Sequence, residues 1–228
     1  MRPMHRSPPR CNADSHEREN IMATHSPYAE RHIRTLVLAK ECAALGARLR
    51  TIGYVTGLPH GQLVQLFFAD RNTIPRGRPP DSPDWYHSAN LLYRTEASIV
   101  VSIYRRIRRL DFGPAEALVA AYKHYLSMHH GAPRISFDRA FDLASHLDGL
   151  WIVRVPCFSL ATCPTCASQY LTAVGASPAT NHECPFCKLL HRYRRDPRIQ
   201  TSFPVTVLPN TTVLQLGIVA LAKQMRED

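Results

Sequence analysis

Cys163-Pro-Thr-Cys166 and Cys184-Pro-Phe-Cys187 decide how the C-terminal part of this chain must fold, and residues 167–183 separate them. Each Cys-x-x-Cys presents two thiolates from one tight turn. Two such knuckles at this separation close a tetrahedron around a zinc ion, the pattern of a zinc ribbon. Four thiolates occupy every tetrahedral position and leave none for water or substrate. The reading is therefore one structural zinc per chain, with Cys163, Cys166, Cys184 and Cys187 as ligands. So small a ribbon has little core. Metal binding would supply much of its folding free energy, about 10–16 kcal/mol in peptide systems. Four unligated thiols or an iron–sulfur centre are the competing readings. Cys157, His182 and His191 lie near the knuckles but are read as neighbours rather than ligands.

Working outward, Leu150-Trp151-Ile152-Val153-Arg154-Val155 reads as a strand stopped by Pro156. Before it, residues 137–149 read as a helix ended by Gly149. Asp111 or Gly113, with Pro114, opens another helix, because proline suits the first turn where its missing N–H has no partner anyway. Leu118, Ala121, Tyr122 and Tyr125 form its apolar face. Asp84 reads as the N-cap of a long helix whose stripe is Leu92, Ile99, Ile103, Ile107 and Leu110. Residues 71–83, with four prolines and three arginines, form an extended connector. From Leu36 the spacing of Leu38, Cys42, Leu45, Leu49 and Ile52 marks one helix face. Cys42 on that stripe is a buried small hydrophobe.

The predicted fold is mainly α. A helical domain at 36–149 carries a helix-turn-helix-like corner. A small Cys₄ zinc ribbon with a basic stretch follows at 150–195. Residues 1–35 read as a disordered N-terminal extension with little apolar periodicity. Residues 196–228 form a tail in which Val213–Met225 suits a short amphipathic helix.

The corner is read over residues 49–68. Gly53 stands where two helices approach closely, and Gly57 stands at the turn position that favours positive φ. Ile52, Leu58, Leu63 and Leu66 take the core-facing places. The second helix, about Gly61 to Phe68, would then offer Gln62 and Gln65 to base edges, since glutamine pairs bidentately with adenine. It carries no Lys or Arg for phosphates. A corner used for packing, or for a protein partner, is equally consistent with the pattern.

Net charge is +10 over 228 residues, a balance that favours a polyanionic partner. Lys188, His191, Arg192, Arg194, Arg195 and Arg198 follow the second knuckle, with Tyr193 among them. Arg192, Arg194 and Arg195 are the candidate phosphate contacts on a rigid support. Arg105, Arg106, Arg108 and Arg109 close the long helix, where cations suit the helix dipole. No apolar run reaches the length of a membrane span, and no apolar segment follows the basic N-terminus as in a secretory signal. Seven cysteines, four of them in metal spacing, fit a reducing cytoplasm. No Gly-rich phosphate loop, Gly-x-Ser-x-Gly or His-Glu-x-x-His is present, so the chain reads as no enzyme.

With these elements in order, the chain resembles the FlhC family, the zinc-binding subunit of the bacterial flagellar master regulator. The likeness runs from Glu41-Cys-Ala-Ala-Leu-Gly-Ala-Arg-Leu-Arg50 through Thr56-Gly-Leu-Pro59, Leu63-Val-Gln-Leu66, Pro79-Pro-Asp-Ser-Pro-Asp-Trp-Tyr86 and Ala121-Tyr-Lys-His-Tyr-Leu126 to the two knuckles. The resemblance implies a DNA-binding transcriptional activator that forms a heterohexamer with FlhD, binds flagellar promoters and recruits RNA polymerase. It places the zinc ligands at the same four cysteines. The rival reading is a zinc-ribbon protein–protein adaptor without direct DNA contact.

Overall fold

The structure, a computed structural model, describes residues 27–204 apart from 69, 76, 78, 79, 81, 129, 130 and 175–183. The expected tail helix at Val213–Met225, most of the N-terminal extension and His182 lie outside the described residues.

The helical body starts earlier than Leu36. Helix α1 spans Pro27–Ala44, with Glu30 in its first turn bonded to Arg34 one turn on, 2.5 Å. The apolar stripe that runs on to Ile52 does not belong to one helix. At Gly46, φ is 78°, a conformation nearly free of cost only for glycine. The Ala47 N–H turns back to the Cys42 carbonyl, 3.0 Å. A second helix, α2, then spans Leu49–Thr56 and ends at Gly57 with φ 74°. Cys42 is fully buried, as its place on the stripe requires, and burial pushes its thiol up to about 12.

Helix α3 spans His60–Phe67 behind Pro59. Ile52, Leu58 and Leu63 are buried, but Leu66 is 51% exposed. The inward face of α3 is centred between Leu63, Val64 and Phe67, and the helical step turns Leu66 away from it. A short helix, α4, covers Asp84–His87. The chain then breaks, so the long helix does not start at Asp84. Helix α5 spans Leu91–Arg108 and is capped by Asn90, whose side-chain oxygen accepts the Tyr93 N–H. Its buried face is Ala97, Val100, Val101 and Tyr104. Ile99, Ile103 and Ile107 pack only at the edge, and Leu110 is 67% exposed. The helix packs against neighbours on several sides, so small residues and a tyrosine fill its closest contacts.

Helix α6, Pro114–Ser127, starts at Gly113-Pro114 and buries Leu118, Ala121, Tyr122 and Tyr125. Helix α7, Phe137–Asp148, is capped by Ser136 and closed by Gly149 with φ 66°. Residues 150–155 form no strand. They reverse in a tight turn in which Trp151 has φ 53°, a strain of about 1–3 kcal/mol for a bulky residue. Pro156 folds back so closely that a Cβ on Gly149 would lie 2.9 Å from its ring. The strands come later: β1, Phe158–Thr162, and β2, Gln169–Ala173, form an antiparallel pair with Phe158 opposite Ala173 and Thr162 opposite Gln169. Helices α8, Pro185–Tyr193, and α9, Pro197–Ser202, complete the described chain.

Two devices join distant parts. Asp138 on α7 accepts the Arg48 N–H at 3.1 Å, the Arg48 guanidinium at 2.5 Å and the Thr51 hydroxyl at 2.5 Å. It thus caps α2, whose own N-cap residue offers no acceptor. The β-hairpin is pinned to the helices by the Tyr86 hydroxyl, which donates to the Leu171 carbonyl at 2.7 Å. Ser98 accepts the Leu171 N–H at 3.1 Å, and Ser102 donates to the Gln169 carbonyl at 3.2 Å. Phe158 and Leu171 belong to the main core.

Candidate metal centre

The first knuckle leaves the end of β1. Cys163 donates its N–H to the Ser168 carbonyl, 3.0 Å, and its own carbonyl accepts from Ala167, 2.9 Å. Ala167 turns the chain at φ 57°. The second knuckle is the start of α8. Cys184 is its N-cap residue, Pro185 occupies the first turn, and Cys187 follows within that turn. The four Sγ atoms lie within 4.8 Å of one another. Cys163 and Cys187 stand 3.7 Å apart, as do Cys166 and Cys184. A regular tetrahedron with metal–sulfur bonds of about 2.3 Å has edges of about 3.8 Å, so the spacing fits one ion bound by four sulfurs.

The electrostatics fit as well. Backbone N–H groups of Cys166 and Thr165 draw the Cys163 thiol down to about 6. The Ser168 hydroxyl and N–H lower that of Cys166. Burial raises Cys184, and the bond from Cys187 to Cys166, with burial, pushes Cys187 up to about 12. Packed thiols resist ionising together, and a divalent cation among them removes that resistance. The positive end of α8 points the same way.

Cys157 stands apart from the four. Its Sγ lies 3.0 Å from Nδ1 of His146. Asp142 sits one turn before His146 on α7 and accepts the Trp85 indole N–H at 2.8 Å. This chain of side chains joins α4, α7 and the start of β1. Of this arrangement, the sequence shows only the i,i+4 spacing of Asp142 and His146. His191 is exposed and outside the cluster.

Arg192, Arg194, Arg195 and Arg198 are all exposed on α8, its exit and α9. Buried Leu189 and Ile199 hold this region, and the Tyr193 hydroxyl donates to the Phe203 carbonyl at 3.1 Å. Arg105 and Arg108, by contrast, bond Asp148 at 3.1 and 3.4 Å and anchor the end of α5. On α3, Gln65 is exposed and Gln62 half-buried. That helix packs on α1 and α2, whereas α8 packs on α5 and α9.

The family model described as the flagellar transcriptional activator FlhC matches residues 25–199, a span that contains both knuckles and the helical body. The chain belongs to the FlhC family. Among curated FlhC proteins, the flagellar transcriptional regulator FlhC of Proteus mirabilis is 27% identical over 164 residues, covering 69% of this chain and 80% of that protein. FlhC of Sodalis glossinidius is 29% identical over 160 residues, 68% and 77% of the two chains. FlhC of Nitrosomonas eutropha is 26% identical over 164 residues, 70% and 81%. The FlhC family is one of transcriptional regulators, which is not an enzyme class. No helix among the described residues is long and apolar enough to cross a membrane.

Proposed function

We propose that this protein is a zinc-containing, DNA-binding activator of flagellar genes that works in the cytoplasm as a hetero-oligomer with an FlhD-like subunit. The observation that carries the reading is the tetrahedral spacing of four thiols, two of which open α8, with exposed arginines at the end of that helix and just beyond it. In this reading Cys163, Cys166, Cys184 and Cys187 hold one structural zinc as a ribbon-like module. The ion supplies cross-linking and no chemistry. Because Cys184 and Cys187 open α8, the metal fixes where that helix starts and hence where Arg192, Arg194 and Arg195 project. Those arginines grip phosphates without reading sequence.

The α2–α3 corner is the helix-turn-helix-like element. Its second helix has exposed Leu66 and no Lys or Arg, which favours protein contact, with the FlhD-like subunit, over a seat in a DNA groove. Gln65 is the better placed of the two glutamines for any base contact. The assembled hetero-oligomer, a heterohexamer in this reading, would then recruit RNA polymerase to the promoter.

A gel-shift titration of the co-purified complex against a flagellar promoter tests this. A specific shift that survives salt at which nonspecific binding is weak supports it. A complex that assembles and holds zinc but shifts no promoter would instead identify a protein–protein adaptor.

A further inference from the structure

Of the cysteines among the described residues, four form the metal cluster and Cys42 is fully buried. Cys157 is left, half-buried just before β1. Its N–H donates to the His146 carbonyl at 3.0 Å, and its own carbonyl accepts the Val174 N–H at 2.9 Å. Backbone bonds on both sides thus hold the residue against α7.

There its sulfur meets a base. Cys157 Sγ lies 3.0 Å from Nδ1 of His146. On the other side of the ring, Nε2 faces Oδ1 of Asp142 at 3.4 Å. His146 is 8% exposed and Asp142 fully buried, and neither of these two facing atoms has a hydrogen-bond partner. The other Asp142 oxygen is anchored by the Trp85 indole N–H at 2.8 Å, and Phe158 meets the imidazole edge-on at 6.0 Å. A carboxylate beside Nε2 draws the ring proton to that nitrogen and leaves Nδ1 bare, ready to accept the Cys157 S–H. Sulfur and carboxylate sit at opposite nitrogens of one ring, so the three side chains cannot share a metal ion.

Thiol, imidazole and carboxylate in this order are the parts of a base-activated nucleophile. Burial and the Asp142 charge keep the resting thiol protonated, so the sulfur becomes nucleophilic only as Nδ1 takes its proton. The imidazolium then formed lies beside Asp142 Oδ1, a buried oxygen with no other partner. One class of electrophile suits a half-buried sulfur with a protonated base at its side: a hydroperoxide. It is small and neutral, and its leaving oxygen needs the proton that Nδ1 has just taken. We propose that Cys157 is a peroxide-oxidised modification site, with His146 as its base and Asp142 as the group that positions His146. With hydrogen peroxide, the sulfur pair attacks one oxygen and the O–O bond breaks. The departing hydroxide takes the proton from Nδ1 and leaves as water. Sulfur is oxidised to the sulfenic acid, and the peroxide is reduced. The site is separate from the four sulfurs of the metal centre and stands whether or not the protein binds DNA.

The test treats the zinc-loaded full chain with hydrogen peroxide at neutral pH in the presence of dimedone, which traps sulfenic acids. Peptide mass spectrometry then reads the labelling rate of each cysteine. Cys157 should label at least about tenfold faster than free cysteine under the same conditions, with zinc retained. His146→Gln should slow labelling of Cys157 about 100-fold, and Asp142→Asn about tenfold, with helical circular dichroism unchanged. Loosened packing would expose the sulfur and speed labelling, so a slower rate separates lost base chemistry from lost structure. A rate at Cys157 no greater than that of free cysteine overturns the proposal, whatever the variants do. So does a rate that either substitution leaves intact, or labelling confined to the four cluster cysteines with release of zinc.

Discussion

The Tyr86 hydroxyl, buried at the end of a one-turn helix, donates to the Leu171 carbonyl in the middle of β2 at 2.7 Å. The bond ties the Pro-Asp-Trp-Tyr segment to the hairpin that carries the first cysteine knuckle. Tyr86→Phe removes it and keeps the ring packing against Phe158. The loss should be about 1–2 kcal/mol, the cost of one buried acceptor left without its donor. Urea denaturation of the full chain, compared with the parent, measures it, and metal content should not change.

Cys163→Ala removes one of four sulfurs from a site built for four. Zinc content should fall from one ion per chain to nearly none, read by metal analysis after dialysis. The region from the first knuckle to α8 should become sensitive to protease, while helices α5 to α7 stay folded because Phe158 and Leu171 pack into the main core. Retention of one ion per chain would remove Cys163 from the ligand set.

Asp138 does three jobs for α2 with one carboxylate. Asp138→Ala removes the acceptor that this carboxylate offers to the Arg48 N–H, the Arg48 guanidinium and the Thr51 hydroxyl. A loss of about 2–4 kcal/mol is expected, at the upper range for single substitutions. Asp138→Asn, which keeps one acceptor oxygen, should lose less. Equal losses in denaturant melts would show that shape rather than charge matters there.

Alkaline pH should unfold the protein cooperatively. Cys42 is raised by burial from 9.0 to about 12, and Tyr122 from 10.0 to about 12. Burial also raises Tyr86, Tyr104 and Tyr125, and the last two are raised in addition because each donates to a carboxylate. These groups are neutral when protonated, and the unfolded chain gives up their protons at lower pH than the folded one. Their contribution to stability is therefore complete below about pH 9 and declines as pH rises toward 12. The share of tyrosinate absorbance that belongs to these buried tyrosines should appear in step with loss of helical circular dichroism rather than ahead of it.

Arg192, Arg194 and Arg195 are exposed and spaced along the exit of α8. Replacing all three with glutamine should weaken promoter binding by the complex about equally across sequences. It should also reduce the magnitude of the salt slope by about 3, close to one unit for each phosphate no longer neutralised. Pairing with the FlhD-like subunit should persist. An unchanged slope would move DNA binding elsewhere on the surface.

Much of this architecture is legible in local chemistry. Gly113-Pro114 and Gly149 mark helix ends through backbone preferences that need no neighbours, and both hold. The cysteine pairs point to a four-sulfur cluster because ligand spacing is itself a local rule. The departures have a common origin. The stripe Leu38 to Ile52 is continuous in period, yet Gly46 divides it. Leu150–Val155 has strand composition, yet the turn at Trp151 and the return at Pro156 leave it no partner strand. Leu66 and Leu110 fit the apolar period but face out, because burial depends on where neighbouring elements lie.

What the sequence by itself determined is therefore the mainly helical class, the four sulfurs and the likeness to FlhC, each carried by residues a few positions apart. Only the tertiary structure brought Asp138 to the start of α2 and Tyr86 to Leu171. Those contacts join residues tens of positions apart. They exist because packing around α5 satisfies buried polar groups with whichever distant side chain the fold delivers.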